Sequence, residues 1–256
     1  MTGDPDADAG VVYLRADSDQ RTIETARRLG LALLPGRTPR VHALREGEPD
    51  ALFKPAAADW SLASAAVMGR IGDGTDALTQ SNRPRIETMT QVLFGGTAVP
   101  RGKVSPFTGH PKPKPEDAFR AIDLGEVSGT VASFAEAFLL EYADGLPMSQ
   151  VGWGRVNRDM ITDMLGLHSA YFDLMYRTPY RAQVEASNLA GHLLATLDQA
   201  ASGKPSAGAI RPVGSRLVVI VGHDGNLASV GGLLGLSWRI EGSQDTPGLS
   251  GRGVGL

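Results

Sequence analysis

The sequence predicts an α/β fold in which a sheet domain is interrupted by an inserted all-α domain. Three observations carry this. Val11–Ala16 and Arg216–Val221 are short apolar, β-branched runs of strand length, and each is followed by polar residues and then a helical pattern. Between them, from about Pro55 to Gln199, strand patterns give way to long helical ones. The run Arg216–Val221 is nearly continuous in apolar residues, the texture of a parallel strand buried on both faces.

The elements follow in order. After the strand at Val11–Ala16, Asp17-Ser18-Asp19 supplies helix N-cap chemistry. A helix is expected from Gln20 to about Leu34, with Ile23, Ala26, Leu29, Ala32 and Leu33 near helical spacing, and Pro35-Gly36 stops it. Arg40–Leu44 reads as a second short strand. In the insertion, Val127, Val131, Phe134, Ala135, Phe138 and Tyr142 mark one amphipathic helix, and Ile161, Met164, Leu165, His168, Tyr171, Phe172 and Met175 another. Thr178-Pro179 opens a third, apolar through Leu197. The stretch Gly95–Pro115, with five prolines from Pro100 onward, reads as a loop or linker. After Arg216–Val221 comes Gly222-His223-Asp224-Gly225-Asn226, then a helix over Leu227–Leu236 weakened by Gly231 and Gly232. Trp238–Ile240 is a candidate final strand. The domain boundaries expected are 11–55 with 210–241 for the sheet domain and 56–205 for the insertion, with 1–10 and 242–256 as disordered tails.

Composition narrows the function. The chain has 256 residues, 42% hydrophobic and 21% charged, which excludes wholesale disorder. A net charge of −3 gives no basic field for nucleic acid or an anionic membrane. There is no cysteine, so thiol nucleophiles, disulfides and Cys-based metal centres are excluded. No run approaches the ~18–20 apolar residues of a membrane span, and Met1–Gly10 lacks the basic and apolar regions of a signal peptide. No cofactor is implied. The five histidines show no i, i+4 pair and no third ligand for a metal, so no metal site is expected.

Two places stand out for chemistry, both where a strand ends and a helix begins. Ligands in open α/β sheets gather at the carboxyl ends of strands, and helix N-termini attract anions. The first place holds Arg21 and the second His223 and Asp224. Arg and a His–Asp pair suit holding and protonating a phosphate ester. Arg21 also fits a solvated helix residue, and His223-Asp224 also fits a turn with Asp224 as N-cap. His168 lies on an apolar stripe and reads as a packed core histidine.

Asp17–Thr22 with Thr25-Ala26 resembles the D-x-x-R-T-x-x-T-A segment of histidine acid phosphatases, the branch that includes bacterial phytases and glucose-1-phosphatases. Asp50-Ala51-Leu52-Phe53-Lys54-Pro55 is similar to the family's D-P-L-F-x-P turn, and Gly222–Ala228 to its G-H-D-x-N-L motif. Gly152-Trp153-Gly154-Arg155, Leu167–Phe172 and Arg177-Thr178-Pro179 resemble its helical domain. The resemblance runs from about residue 11 to 247. It implies a phosphoglycerate-mutase-like sheet domain with an inserted helical domain, phosphomonoester hydrolysis, Arg21 and His223 on the phosphate, and Asp224 as proton donor. The implied ligand is a small phosphomonoester or inorganic phosphate, and the implied setting periplasmic or secreted.

The departures are as informative. The family nucleophile lies in an R-H-G-x-R-x-P motif. None of His42, His110, His168, His192 and His223 is preceded by Arg and followed by Gly, so no nucleophile is assigned. Asp245-Thr246-Pro247 matches the family's D-T-P-P-G-G, and Gly-rich sequence of a different texture follows. The expectation is a chain truncated at both ends, by a frameshift after Pro247 at the second, with its first and closing strands missing. Very weak or no turnover, and self-association through exposed edges of the strands at 11–16 and 216–221, are then expected. The alternatives are a non-catalytic phosphate- or phosphosugar-binding protein and an interaction module.

Overall fold

The computed structural model describes residues 3–55, 60–72, 74–95 and 129–237. In chain order these form α1 (Pro5–Ala9), β1 (Val12–Ala16), α2 (Gln20–Leu33), β2 (Val41–His42), α3 (Trp60–Ile71), α4 (Thr75–Phe94), α5 (Gly129–Ala143), α6 (Arg158–Arg177), α7 (Pro179–Ser202), β3 (Leu217–Val221) and α8 (Asp224–Leu233). They fall into two compact units, Met1–Ala56 with Ala182–Leu234, and Ala57–Arg181 with Gly235–Leu256. The expected loop from residue 96 onward, the helix start at Val127, the strand at Trp238–Ile240 and the tail at 242–256 lie outside the described residues.

The first unit holds a parallel sheet of order β2-β1-β3. β1 is central. It pairs with β3 from Val12↔Leu217 to Ala16↔Val221, and with β2 at Leu14↔Val41 and Arg15↔His42. The alternation of β1 divides its side chains between two faces. Leu14 and Ala16 are buried, and Leu14 points at Gly30 of α2. On the other face Tyr13 stacks on His42, ring centroids 4.3 Å apart, and the Arg15 guanidinium lies over Phe53 while pairing with the buried Asp50 carboxylate.

β1 was expected to present an unpaired edge, but it is paired on both sides because β3 joins it directly. Of the two strands expected to expose edges, only β3 does so among the described residues, and β2 forms the other edge of the sheet. All five residues of β3 are half-buried rather than sealed on both faces. Residues 3–10, expected as part of a disordered tail, include a helical turn. Asp4 accepts hydrogen bonds from the N–H groups of Asp6 (2.9 Å) and Ala7 (3.4 Å) at its start. Helix α8 begins at Asp224, three residues before the apolar pattern does.

The expected insertion ran to residue 205, whereas most of α7 groups with the sheet. Asn188 donates to the Ala51 carbonyl (2.7 Å), Ser229 donates to Glu185 (2.9 Å), and Gln199 donates to the Arg211 carbonyl (2.8 Å). The first two pairs are 137 and 44 residues apart in sequence, and an amphipathic pattern could not reveal them.

The second unit is helical. Ile86, Met89 and Val92 of α4, Val131 and Phe138 of α5, and Met164 and Leu167 of α6 share one core. Asn157 caps α6 by accepting from the Met160 N–H at 2.9 Å. His168 is buried and stacks on Phe172 at 4.0 Å, the packed histidine that its apolar stripe implies. No helix among the described residues is long and apolar enough to cross a membrane.

Two outcomes follow from the sheet. A Cβ at Gly30 would lie 2.4 Å from Pro39 Cβ and 2.6 Å from Leu14 Cδ1. Gly30→Ala is expected to cost about 1–3 kcal/mol by overpacking, read as a lowered urea midpoint. Burial, together with the charges of Arg40 and Arg15, holds the His42 imidazole below its ordinary 6.5. The folded protein therefore resists protonation there. Its contribution to stability is present above about pH 6.5 and is lost as pH falls through the lowered value. His42→Gln is expected to flatten the fall in urea midpoint between neutral and mildly acidic pH.

Candidate functional site

The register that ends at Ala16↔Val221 brings the carboxyl ends of β1 and β3 side by side, and the Asp17 N–H continues the ladder to the Val221 carbonyl at 2.9 Å. Each strand leads into a helix, so the N-termini of α2 and α8 open at one edge of the sheet. Residues 17–21 thereby meet residues 222–224.

The charged groups form a closed network. Asp17 is fully buried, and its Oδ1 accepts from the Ser18 N–H at 2.7 Å. Its Oδ2 accepts from His223 Nε2 at 2.9 Å and from Lys54 Nζ at 3.1 Å. Asp19 Oδ2 lies 2.7 Å from the same His223 nitrogen and 3.1 Å from the same Lys54 ammonium. On the other side of the ring, Arg21 Nη2 is 2.8 Å from His223 Nδ1. Arginine only donates, so Nδ1 accepts and the ring proton sits on Nε2, shared between the two carboxylates.

Asp19 occupies the N-cap position of α2 with extended backbone (φ −76°, ψ 139°) but makes no side-chain cap bond. The capping chemistry read from Asp17-Ser18-Asp19 is therefore redirected. Its carboxylate faces His223 and Lys54 instead of the helix N–H groups. The hydrogen bond from Lys54 holds the Asp19 carboxyl below its ordinary 3.8 against the opposing effect of burial, with help from the charges of Lys54, His223 and Arg21. Lys54 is in turn raised above its ordinary 10.5. Burial works against this, and the bonds and charges of Asp19 and Asp17 outweigh it.

The second strand–helix junction is set by packing. His223 is the N-cap of α8, so the reading of Asp224 as N-cap is corrected. The His223 N–H donates to Asn226 Oδ1 at 2.8 Å, and Asn226 Nδ2 donates to the Phe53 carbonyl at 2.7 Å. A Cβ at Gly222 would lie 2.8 Å from Asn226 Oδ1 and 2.9 Å from the Phe53 ring, so the chain passes only as glycine. Lys54 follows Phe53, and its N–H donates to the Asp50 carbonyl at 2.8 Å, which fixes the turn that carries the ammonium.

Of the sequence-predicted residues, Arg21 and His223 are brought into contact. Asp224 is the first residue of α8, exposed, with Oδ1 accepting from the Gly225 N–H at 2.8 Å. The charged partners Asp17, Asp19 and Lys54 were not read as site residues. A pair of carboxylates flanking Ser18, directly after a strand and before Arg21, was the available sign for two of them.

Asp17, Asp19 and His223 each place a ligand-type atom within 4.8 Å of the others. The tautomer imposed by Arg21 puts a proton on the His223 nitrogen that a cation would need, and the Lys54 ammonium already bridges the carboxylates. The arrangement thus presents an internal ion-pair network rather than a three-ligand metal set.

Comparison with known proteins bears on this geometry. No protein-family model matches the chain. Phytase AppA of Escherichia coli is 28% identical over 250 residues, covering 93% of this chain and 57% of the relative. Glucose-1-phosphatase of Salmonella typhimurium is 28% identical over 228 residues, covering 86% and 51%. The phytase of Hafnia alvei superposes with a TM-score of 0.76 at 29% identity, covering 93% of this chain and 60% of that one. A Klebsiella phytase gives 0.72 at 26% identity. The chain is a homologue of bacterial phytases and glucose-1-phosphatase. This agrees with the histidine acid phosphatase resemblance of its motifs. The phosphatase homologue spans little more than half the length of the curated relatives it matches.

Asn226→Ala would leave the His223 N–H and the Phe53 carbonyl without their partner. The expected loss is about 1–3 kcal/mol of stability, read in urea unfolding, together with shifted amide resonances at His223 and Phe53.

Proposed function

We propose that this phosphatase homologue recognises the phosphate group of small phosphomonoesters, with inorganic phosphate as the minimal ligand, at Arg21 and His223. The Arg21–His223 contact at two adjoining helix N-termini, with the α2 cap carboxylate turned away, is the observation that supports this reading. Helix N-termini and guanidinium N–H groups are the usual anion donors of proteins. Arg21 spends one contact on His223 and keeps further donors for phosphate oxygens. The Hafnia phytase has been solved with myo-inositol hexakis sulphate and with tartrate, which are ligands of that protein.

His223 as it stands has no donor left for an anion, because its proton faces Asp17 and Asp19. Taking up a second proton at Nδ1 converts the nitrogen facing Arg21 from acceptor to donor. Phosphate binding in this reading therefore takes up a proton.

Hydrolysis of a bound ester would run with Asp224 as general acid. Water oxygen bonds to phosphorus, the P–O ester bond breaks, the Asp224 proton passes to the leaving alcohol oxygen, and a proton of the attacking water restores the carboxyl. Arg21 and His223 stabilise the charge on the phosphoryl oxygens. Within these 256 residues no histidine lies between Arg and Gly, so the covalent route of the resembled family has no assigned nucleophile. The parts of such a site act as a unit, and losing one costs several orders of magnitude. The same absence supports a second reading, a phosphate- or phosphosugar-binding protein that does not turn over. A periplasmic or secreted setting is proposed from the family resemblance alone.

Calorimetric titration with inorganic phosphate tests the binding. Binding is expected with net proton uptake, and Arg21→Met is expected to weaken it about tenfold or more, since charge-assisted contacts are the strong ones. No binding by the unaltered protein would overturn the reading. With an aryl phosphate at mildly acidic pH, turnover is expected to be absent or very slow. A pre-steady-state burst of phosphoenzyme would contradict the missing nucleophile.

A further inference from the structure

We infer that Lys54 is a positioning residue of the phosphate site, an internal counter-ion that neutralises Asp17 and Asp19 so that an anion can share Arg21 and His223 with them. This rests on the phosphate reading above and deepens it. Lys54 Nζ stands 3.1 Å from the Oδ2 of both carboxylates, the same oxygens that bracket His223 Nε2 at 2.9 and 2.7 Å. With His223 neutral, the two carboxylates are balanced by Arg21 and Lys54. Without Lys54 the cluster turns net negative where a phosphate must dock.

The burial of the participants gives the counter-ion its importance. Asp17 is fully buried, so water does not screen its charge, and an uncompensated buried carboxylate is costly. His223 cannot serve both carboxylates alone, because its single Nε2 proton is divided between two oxygens. Lys54 is 40% exposed at its side chain, reaching in from the turn that Asp50 and Phe53 hold. It contacts the carboxylates and not the ring, so its action on phosphate runs through them. The lowered titration of the Asp19 carboxyl, with Lys54 as its leading cause, agrees with this role.

Circular dichroism melts of Lys54→Met and Lys54→Arg check that each variant is folded at the titration temperature, with Lys54→Met expected to melt lower because the buried Asp17 carboxylate loses a donor. The probe is inorganic phosphate, titrated at pH 7 and at about pH 4, with each variant compared with the unaltered protein at the same pH so that the ligand's own ionisation cancels. Lys54→Met is expected to weaken phosphate about tenfold at pH 7, the scale of one lost unit charge a few ångströms from the anion in a partly solvated site. The deficit is expected to shrink at pH 4, where the Asp19 carboxyl, no longer held down by Lys54 in the variant, takes up protons in part and lessens the negative charge. Lys54→Arg should keep affinity within about threefold, and adding Asp19→Asn to Lys54→Met should recover most of the loss. Carbon-13 titration of the Asp19 carboxyl should move up toward the ordinary aspartate value in Lys54→Met.

If the unaltered protein binds phosphate and Lys54→Met binds it equally at both pH values, the inference falls and the phosphate reading stands. A loss of affinity in Lys54→Met that neither acid nor Asp19→Asn repairs would also overturn it, since that marks a merely structural lysine. If the unaltered protein does not bind phosphate, the reading and the inference fall together.

Discussion

The buried carboxylate of Asp17 is the constraint around which the candidate site is organised. A charge removed from water has to be met by donors, and here they come from three separate parts of the chain. Ser18 supplies its backbone N–H, Lys54 its ammonium and His223 its ring N–H. The last partner is 206 residues away in sequence. It arrives because β1 and β3 pair in parallel register up to Ala16↔Val221, one residue short of Asp17. The sheet therefore delivers the two ends of the site, and the ion pairs hold them at hydrogen-bond distance. Thr22 adds a local tie, its hydroxyl donating to the carbonyls of Asp17 and Asp19 at 2.9 and 2.7 Å.

Asp19 shows how the same few residues serve structure and chemistry differently. An aspartate at an N-cap ordinarily accepts from its own helix, a contact worth about 1 kcal/mol. Here that contact is given up for the His223–Lys54 network. Local propensity is broken at the place where a strand meets a helix and an arginine follows, which is where function is expected to override it. On α8, by contrast, the junction is locally consistent. Gly222, His223 and Asn226 fit against Phe53 through two hydrogen bonds and the close passage at Gly222.

Much of this was legible from residues alone. The apolar runs at 12–16 and 217–221 and the helix between Gln20 and Leu33 follow from period and punctuation, and they were enough to place Arg21 and His223 at strand ends. The apolar stripes of α5 and α6 were equally plain, whereas α3 and α4 were not singled out. Other features depend on contacts that no local pattern encodes. Lys54 enters the site only because Phe53 is held by Asn226 across the sheet's edge. The assignment of α7 to the sheet unit rests on Asn188, Glu185 and Gln199, polar residues that read as ordinary surface positions in a helix. The direct pairing of β1 with β3 was likewise hidden, since strand order is not written in either strand. Homology to bacterial phytases and glucose-1-phosphatase accounts for why the ordered motifs sit on this fold, while the partial coverage of those relatives leaves activity to experiment.

The most direct test of the central claim is the protonation state of the His223 ring, read by long-range proton–nitrogen correlation with and without inorganic phosphate. A neutral ring carrying its proton on Nε2 is expected in the free protein, as the Arg21 contact requires. A doubly protonated ring is expected when phosphate is bound. A proton on Nδ1 in the free protein, or a ring that phosphate leaves unchanged, would rule out this arrangement of the site.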